Sequence, residues 1–140
     1  MASVFSRIIE GELPARFVWR DDTVVAFLSI APLSPGHTLV VPRVEVDHWL
    51  DLAPATWLRV SEVTRIVGQA IQRAFDPPRV GTAIAGFEVP HCHVHVAALR
   101  ELADLDFARV DTDPDPRDLD DAAERLRAAL RELGHAEHVG

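Results

Sequence analysis

Apolar and polar positions alternate along the chain with two different periods. Residues 4–13 place Phe5, Ile8, Ile9 and Leu13 at helical spacing, which predicts a short helical turn ended at Pro14, where the ring removes a backbone donor. Residues 16–20 and 23–30 are rich in β-branched and aromatic side chains, and with Asp21-Asp22 as the turn between them they read as a hairpin. Pro32, Pro35 and Gly36 mark a loop, and a third strand runs from His37 to Val41, closed by Pro42. The period then changes. Val63, Ile66, Val67, Ala70, Ile71 and Ala74 form one apolar stripe in a helix over 54–75, with Pro54 suited to its first position and Pro77-Pro78 stopping it. Residues 79–85 and 89–98 read as two more strands around Gly86-Phe87-Glu88, and 103–117, rich in Asp and Pro, as an exposed loop. A last helix is expected from about 118 to 133, with Leu119, Ala123, Leu126, Leu130 and Leu133 on one face and Gly134 after its end. This order predicts an α+β fold with a largely antiparallel sheet of about five strands, one long helix and a C-terminal helix.

Composition narrows the function. A chain of 140 residues with 48% hydrophobic positions suits one packed domain. The formal charge of −8, with no long basic run, argues against a nucleic-acid duplex as the main partner but leaves room for a small nucleotide. One cysteine, Cys92, cannot form an internal disulfide. The N-terminal residues lack the apolar core of a signal peptide, and no window reaches the roughly 20 apolar residues of a membrane span. The expectation is a soluble cytoplasmic protein with no membrane partner.

The candidate chemistry lies in Pro90-His91-Cys92-His93-Val94-His95-Val96-Ala97-Ala98. On a strand, period two puts His91, His93 and His95 on one face, towards a cleft or solvent, and Cys92, Val94 and Val96 on the inward face. Three readings are open: surface histidines, a metal site, or a nucleophile with helpers. At about 3.3 Å per residue, His91 and His95 lie roughly 13 Å apart along a strand, so three in line cannot easily share one ion. A neutral imidazole, in contrast, attacks phosphorus well and leaves well when protonated.

The tract resembles the motif of the histidine triad family, in which histidines alternate with apolar residues. The similarity extends over roughly residues 4–100 and includes Val4 to Ala15, Asp22 to Leu28, and the block Pro32-Leu33-Ser34-Pro35-Gly36-His37-Thr38-Leu39-Val40-Val41-Pro42-Arg43. The resemblance implies a histidine triad domain over 1–104, with the acidic loop and C-terminal helix of 105–140 packed on it. It implies a nucleotidyl hydrolase or transferase acting on nucleoside phosphoramidates or dinucleoside polyphosphates through a nucleotidyl-histidine. His93 is then the nucleophile. His95 contacts the scissile phosphate and can help protonate the leaving group, and His91 supports the nucleophile. Phe5, Ile8, Leu13, Phe27, Leu28 and Ile30 match the apolar lining of the base pocket; each also reads as ordinary core. His37 reads as structural. A purine nucleotide partner and a two-fold homodimer are implied, the dimer with Trp49, Trp57 and Leu58 as interface anchors. The rival reading is a nucleotide-binding or interaction module with little turnover.

Three departures from the family pattern stand out. Ser29 occupies a position where many relatives hold the ribose with Asp or Asn. Phe87 and Glu88 stand where phosphate contacts are common; Glu88 is kept as a substrate-side candidate, though beside a polyphosphate it would repel. Some bacterial members bind structural zinc at positions that here are Ser3, Ser6 and Glu45, together with the first triad histidine. Hydroxyls are poor substitutes for thiolates, so no metal and no cofactor are expected. His48, near Glu45, reads as an exposed loop residue.

Overall fold

The computed structural model describes residues 2–140. Five strands form one antiparallel sheet: β1 (Phe17–Arg20), β2 (Val24–Leu28), β3 (Thr38–Pro42), β4 (Arg79–Ala83) and β5 (Val94–Leu99), in the order β1-β2-β3-β5-β4. Three α-helices accompany it among the described residues: α1 (Val4–Ile9), α2 (Pro54–Phe75) and α3 (Pro116–Glu132). The α+β class and the five-stranded antiparallel sheet are as the sequence predicts.

The sheet has two covered faces. On one side Val24, Ala26 and Leu28 of β2, Val40 of β3, and Val94 and Val96 of β5 pack with Val60, Val63 and Val67 of α2 and Leu126 and Leu130 of α3. On the other, Val25, Phe27, Leu39 and Val41 pack with Phe5 of α1 and Phe17. Burial on both faces is why β2 and β3 are apolar at nearly every position. A bulge between Phe17 and Trp19 breaks the alternation of β1, so that Phe17 joins one face while Val18 and Trp19 both join the other.

The hairpin turn is held by the Asp21 carboxylate, which accepts from the Trp19 indole, the amides of Thr23 and Val24, and Arg59 of α2. Burial pushes this carboxyl up, but the four donors outweigh burial and hold it below the usual range.

Several boundaries differ from those read in the sequence. Helix α1 ends at Ile9, not at Pro14, because Gly11 takes a left-handed conformation with φ of 84°. Helix α3 starts two residues earlier than expected, with Pro116 in its first turn and Asp115 as its cap, accepting from the Arg117 amide. The largest difference lies between β4 and β5. The strand expected over 89–98 begins only at Val94, and residues 84–93 form a loop. The Cys92 amide donates to the Val46 carbonyl at 2.7 Å rather than to a strand neighbour, so His91 and Cys92 lie outside the ladder. Among the described residues, no helix is long and apolar enough to cross a membrane.

Gly36 carries φ of 88°, and an added Cβ would stand 2.5 Å from the Phe75 ring at the end of α2. It therefore sets the turn that delivers His37. Gly36→Ala should lower stability by roughly 1–3 kcal/mol, read as a lower urea midpoint at unchanged slope. An unchanged midpoint would show that the turn tolerates a side chain.

Candidate active site

Pairing places the histidines. His95 stands opposite Leu39 of β3 and Ala83 of β4, so it projects on the Phe27 and Leu39 face, while Val94 and Val96 are buried against the helices. His93 follows the loop on the same side: its ring lies 5.0 Å from that of His95 and 4.9 Å, edge to face, from Phe5. His91 behaves differently from the other two. It has no exposed surface and does not line the cleft, which corrects the expectation that all three imidazoles face cleft or solvent. The reason is the loop: His91 sits where the backbone has left the ladder, so the period of two no longer governs it.

Hydrogen-bond partners assign the proton on each ring, since a neutral imidazole has one donor and one acceptor nitrogen. His91 Nε2 donates to the Pro42 carbonyl at 2.7 Å, and its Nδ1 accepts from the Ser3 hydroxyl at 2.7 Å. His93 Nδ1 donates to the His91 carbonyl at 2.8 Å, which leaves His93 Nε2 with its lone pair. The Leu33 amide donates to His37 Nδ1 at 2.9 Å, so His37 carries its proton on Nε2 and donates to His95 Nδ1 at 3.0 Å. His95 is left with its proton on Nε2. The two central rings therefore present opposite functions: a lone pair on His93 and an N–H on His95.

Burial lowers the proton affinity of His37, His95 and His91. His37 is pushed down to about 3, first by desolvation and then by the repulsion of charge on His95 and His93; His95 is pushed down to about 4 by desolvation and His93. His91 is lowered as well, chiefly by burial. Phe107, from the segment read as a loop, adds to this dryness: its ring lies 4.7 Å from His95 and 6.4 Å from His37.

A cleft of about 740 Å³ opens beside His93 and His95. Of the substrate-side candidates, Phe5, Ile8, Phe27, Leu28, Ser29, Ile30 and Glu88 line it, and Leu13 does not; Val4, Pro14 and Ala15 take its place, because α1 ends before Leu13. The Ser29 hydroxyl accepts from the Ala31 amide at 3.2 Å, which leaves it one proton to donate into the cleft. Arg16 and Asp120 also line it, paired at 2.7 Å. Three contributors escaped the sequence reading. His37 was readable only as structural, and Phe107 and Asp120 carry no local signal, since tertiary packing alone brings their segment to the site.

Ser3, Ser6, Glu45 and His91 do come together. Besides its bond to His91, Ser3 Oγ accepts from the Ser6 amide at 3.0 Å, while Glu45 Oε1 accepts from the Ser6 hydroxyl at 2.7 Å and the Ser3 amide at 2.5 Å. Those two donors hold Glu45 below the usual carboxylate range. This set does not fit tetrahedral zinc: hydroxyls stand in place of thiolates, and the free nitrogen of His91 already accepts a proton donor.

Comparison with known proteins places the chain in a family. The HIT domain matches residues 10–102. A HIT-like protein of Borreliella burgdorferi is 38% identical over 100 residues, covering 66% of this chain and 72% of that protein. The purine nucleoside phosphoramidase of Escherichia coli is 27% identical over 113 residues, 74% of this chain and 92% of that one. A zinc-bound histidine triad family protein from Mycobacterium smegmatis superposes with a TM-score of 0.82 at 30% identity, over 97% of this chain and 98% of that structure. The Mycobacterium smegmatis structure shares the fold of this chain over nearly its whole length. The chain belongs to the HIT family, which includes hydrolases.

The depressed imidazoles predict a pH dependence of stability. Unfolded histidines take up protons near pH 6.5, whereas folded His37 and His95 do so only near 3 and 4. Between pH 6.5 and about 4 the unfolded chain binds more protons, so stability falls as the pH falls, by up to about 1.4 kcal/mol per pH unit for each ring. His37→Gln should flatten this limb in urea titrations across the window. Equal slopes for the two proteins would show that His37 does not stay neutral.

Proposed function

We propose that the protein hydrolyses or transfers nucleotidyl groups through a covalent bond to His93. The observation that carries this is the tautomer pair, a lone pair at His93 Nε2 beside a donor at His95 Nε2, facing one apolar cleft. The purine nucleoside lies in that cleft against Phe5, Ile8 and Phe27, with Ser29 donating to the ribose. His93 Nε2 attacks the α-phosphorus, and the N–P bond forms as the bond to the leaving group breaks. The leaving group departs with a proton from solvent; water then cleaves the N–P bond, returns that proton and frees His93. His91 acts through its carbonyl, which holds the His93 Nδ1 proton and supports the positive ring of the intermediate. The low proton affinity of His95, with a donor already on its Nδ1, favours hydrogen bonding to a phosphoryl oxygen over proton delivery.

Nucleoside phosphoramidates are the first substrates to test, since the named E. coli relative acts on that class. With a nucleoside phosphoramidate of a fluorescent amine, the protein should release the amine, and rapid quenching should show a protein adduct heavier by one nucleoside monophosphate. His93→Ala should lose turnover by several orders of magnitude and lose the adduct while remaining folded, read as a cooperative thermal transition. Near-wild-type turnover in His93→Ala would remove the covalent mechanism. Nucleotide binding without turnover in the wild type would leave a binding module.

We also infer a homodimer. The Trp49 and Trp57 rings pack at 4.9 Å in a tilted arrangement, Leu50 and Leu58 are exposed at 66% and 69%, and β4 is a sheet edge. Trp57 also packs against the core, so the pair covers this domain's own edge in part. Sedimentation at micromolar concentration should give twice the chain mass. A fully active monomer there would show that no dimer is needed.

A further inference from the structure

His93 borders two clefts. Besides the 740 Å³ cleft already described, it forms part of the wall of a second, of about 330 Å³, lined by Asp47, His48, Trp49, Phe87 and Cys92. Two loops build this space. The bond from the Cys92 amide to the Val46 carbonyl ties the segment after β3 to the residue preceding His93, and so sets Asp47 beside the nucleophile. The loop after β4 supplies the opposite side, where the Phe87 ring is 97% exposed. This exposed phenyl group shares the cleft with a carboxylate, Asp47, and an indole, Trp49.

The charges in the two clefts differ from what a phosphate-rich leaving group needs. No lysine or arginine lines the second cleft, and its one carboxylate, Asp47, is exposed. The Cys92 thiol adds no charge, because burial pushes it up to about 11. In the first cleft the arginine, Arg16, is already paired with Asp120, and Glu88 adds another negative charge. A polyphosphate would meet carboxylates on both sides of His93 and no unpaired arginine on either. A carboxylate that shares a cleft with an exposed aromatic ring instead suits an organic cation, which can gain both the ion pair and the cation–π attraction.

We propose that this second cleft is the subsite for the leaving half of the substrate, and that it selects an amine whose tail carries a positive charge, read by Asp47 and Phe87. The inference rests on His93 being the nucleophile. It adds which part of the surface reads the leaving group and what charge that group bears.

Adenosine phosphoramidates of three amines of matched length test it: cadaverine (ammonium tail), hexylamine (methyl tail) and aminohexanoate (carboxylate tail). The expected order of kcat/KM is ammonium, methyl, carboxylate, with roughly ten-fold between the first and the last at low salt. Asp47→Asn should collapse the ammonium-to-carboxylate ratio and Asp47→Arg should invert it. Asp113→Asn, an equal charge change on the exposed loop before α3, should keep the ratio. Equal kcat/KM for the three amines, or a ratio that survives Asp47→Arg, would overturn the subsite. If none of the three is cleaved, the proposed activity fails, and calorimetric affinities of the intact compounds then decide the subsite. The same order of affinity supports it, and equal affinities overturn it.

Discussion

A neutral imidazole has one hydrogen to give and one lone pair to receive, and the site depends on how four of them are used. Buried rings cannot satisfy a mismatched nitrogen with water, so each partner fixes a tautomer. The Leu33 amide fixes His37, and His37 fixes His95; the Pro42 carbonyl and Ser3 hydroxyl fix His91, whose own carbonyl fixes His93. The two chains of bonds reach His95 and His93 from opposite sides and leave them with unlike free nitrogens. Much of the fold serves this ordering. The Gly36 turn brings His37 to β5, α1 brings Ser3 to His91, and the packing of Phe5 and Phe107 keeps water from competing.

Most of the sheet was legible in the sequence because its strands obey period two and its long helix obeys 3.6. The alternation correctly put Val94 and Val96 in the core and His93 and His95 on the other face. It failed at His91 because periodicity carries information only while the backbone stays in the ladder. Pro90 and the Cys92 to Val46 bond are signs of a departure, and only the second, a contact between residues far apart in sequence, shows where the chain goes. Leu13 failed for a related reason. Its helical spacing from Phe5 and Ile9 was real, but Gly11 ended the helix before that spacing could matter.

The contributors that no local pattern revealed come from the last third of the chain. Phe107 reaches His95 from a segment whose Asp and Pro content reads as solvent-exposed loop, and Asp120 reaches the cleft from the exposed side of α3. Asp120 is one position on from Leu119, which is buried against the body of the domain. Once α3 packs through Leu126 and Leu130, its first turn is carried to the mouth of the cleft. The C-terminal segment therefore shapes the pocket as a consequence of core packing, although nothing in its own sequence indicates a site.

The cluster under the first triad histidine follows the same logic of hydrogen-bond valence. A metal ion at that place would hold His91 by a lone pair on Nδ1 and leave its Nε2 proton for the Pro42 carbonyl. The Ser3 hydroxyl makes the same demand on the ring: it too donates to Nδ1 and leaves the proton on Nε2. Ser3 is itself fixed, because its oxygen accepts from the Ser6 amide as the cap of α1 and its amide is held by Glu45. Two hydroxyls and a carboxylate thus fix the position of His91 and give it the tautomer that a cation at Nδ1 would require. The His91 carbonyl, which orders the nucleophile, follows from that position. What this arrangement lacks is the strength of a metal bond. The hold on His91 here depends on the start of α1 staying packed through Phe5, the same side chain whose edge rests against His93.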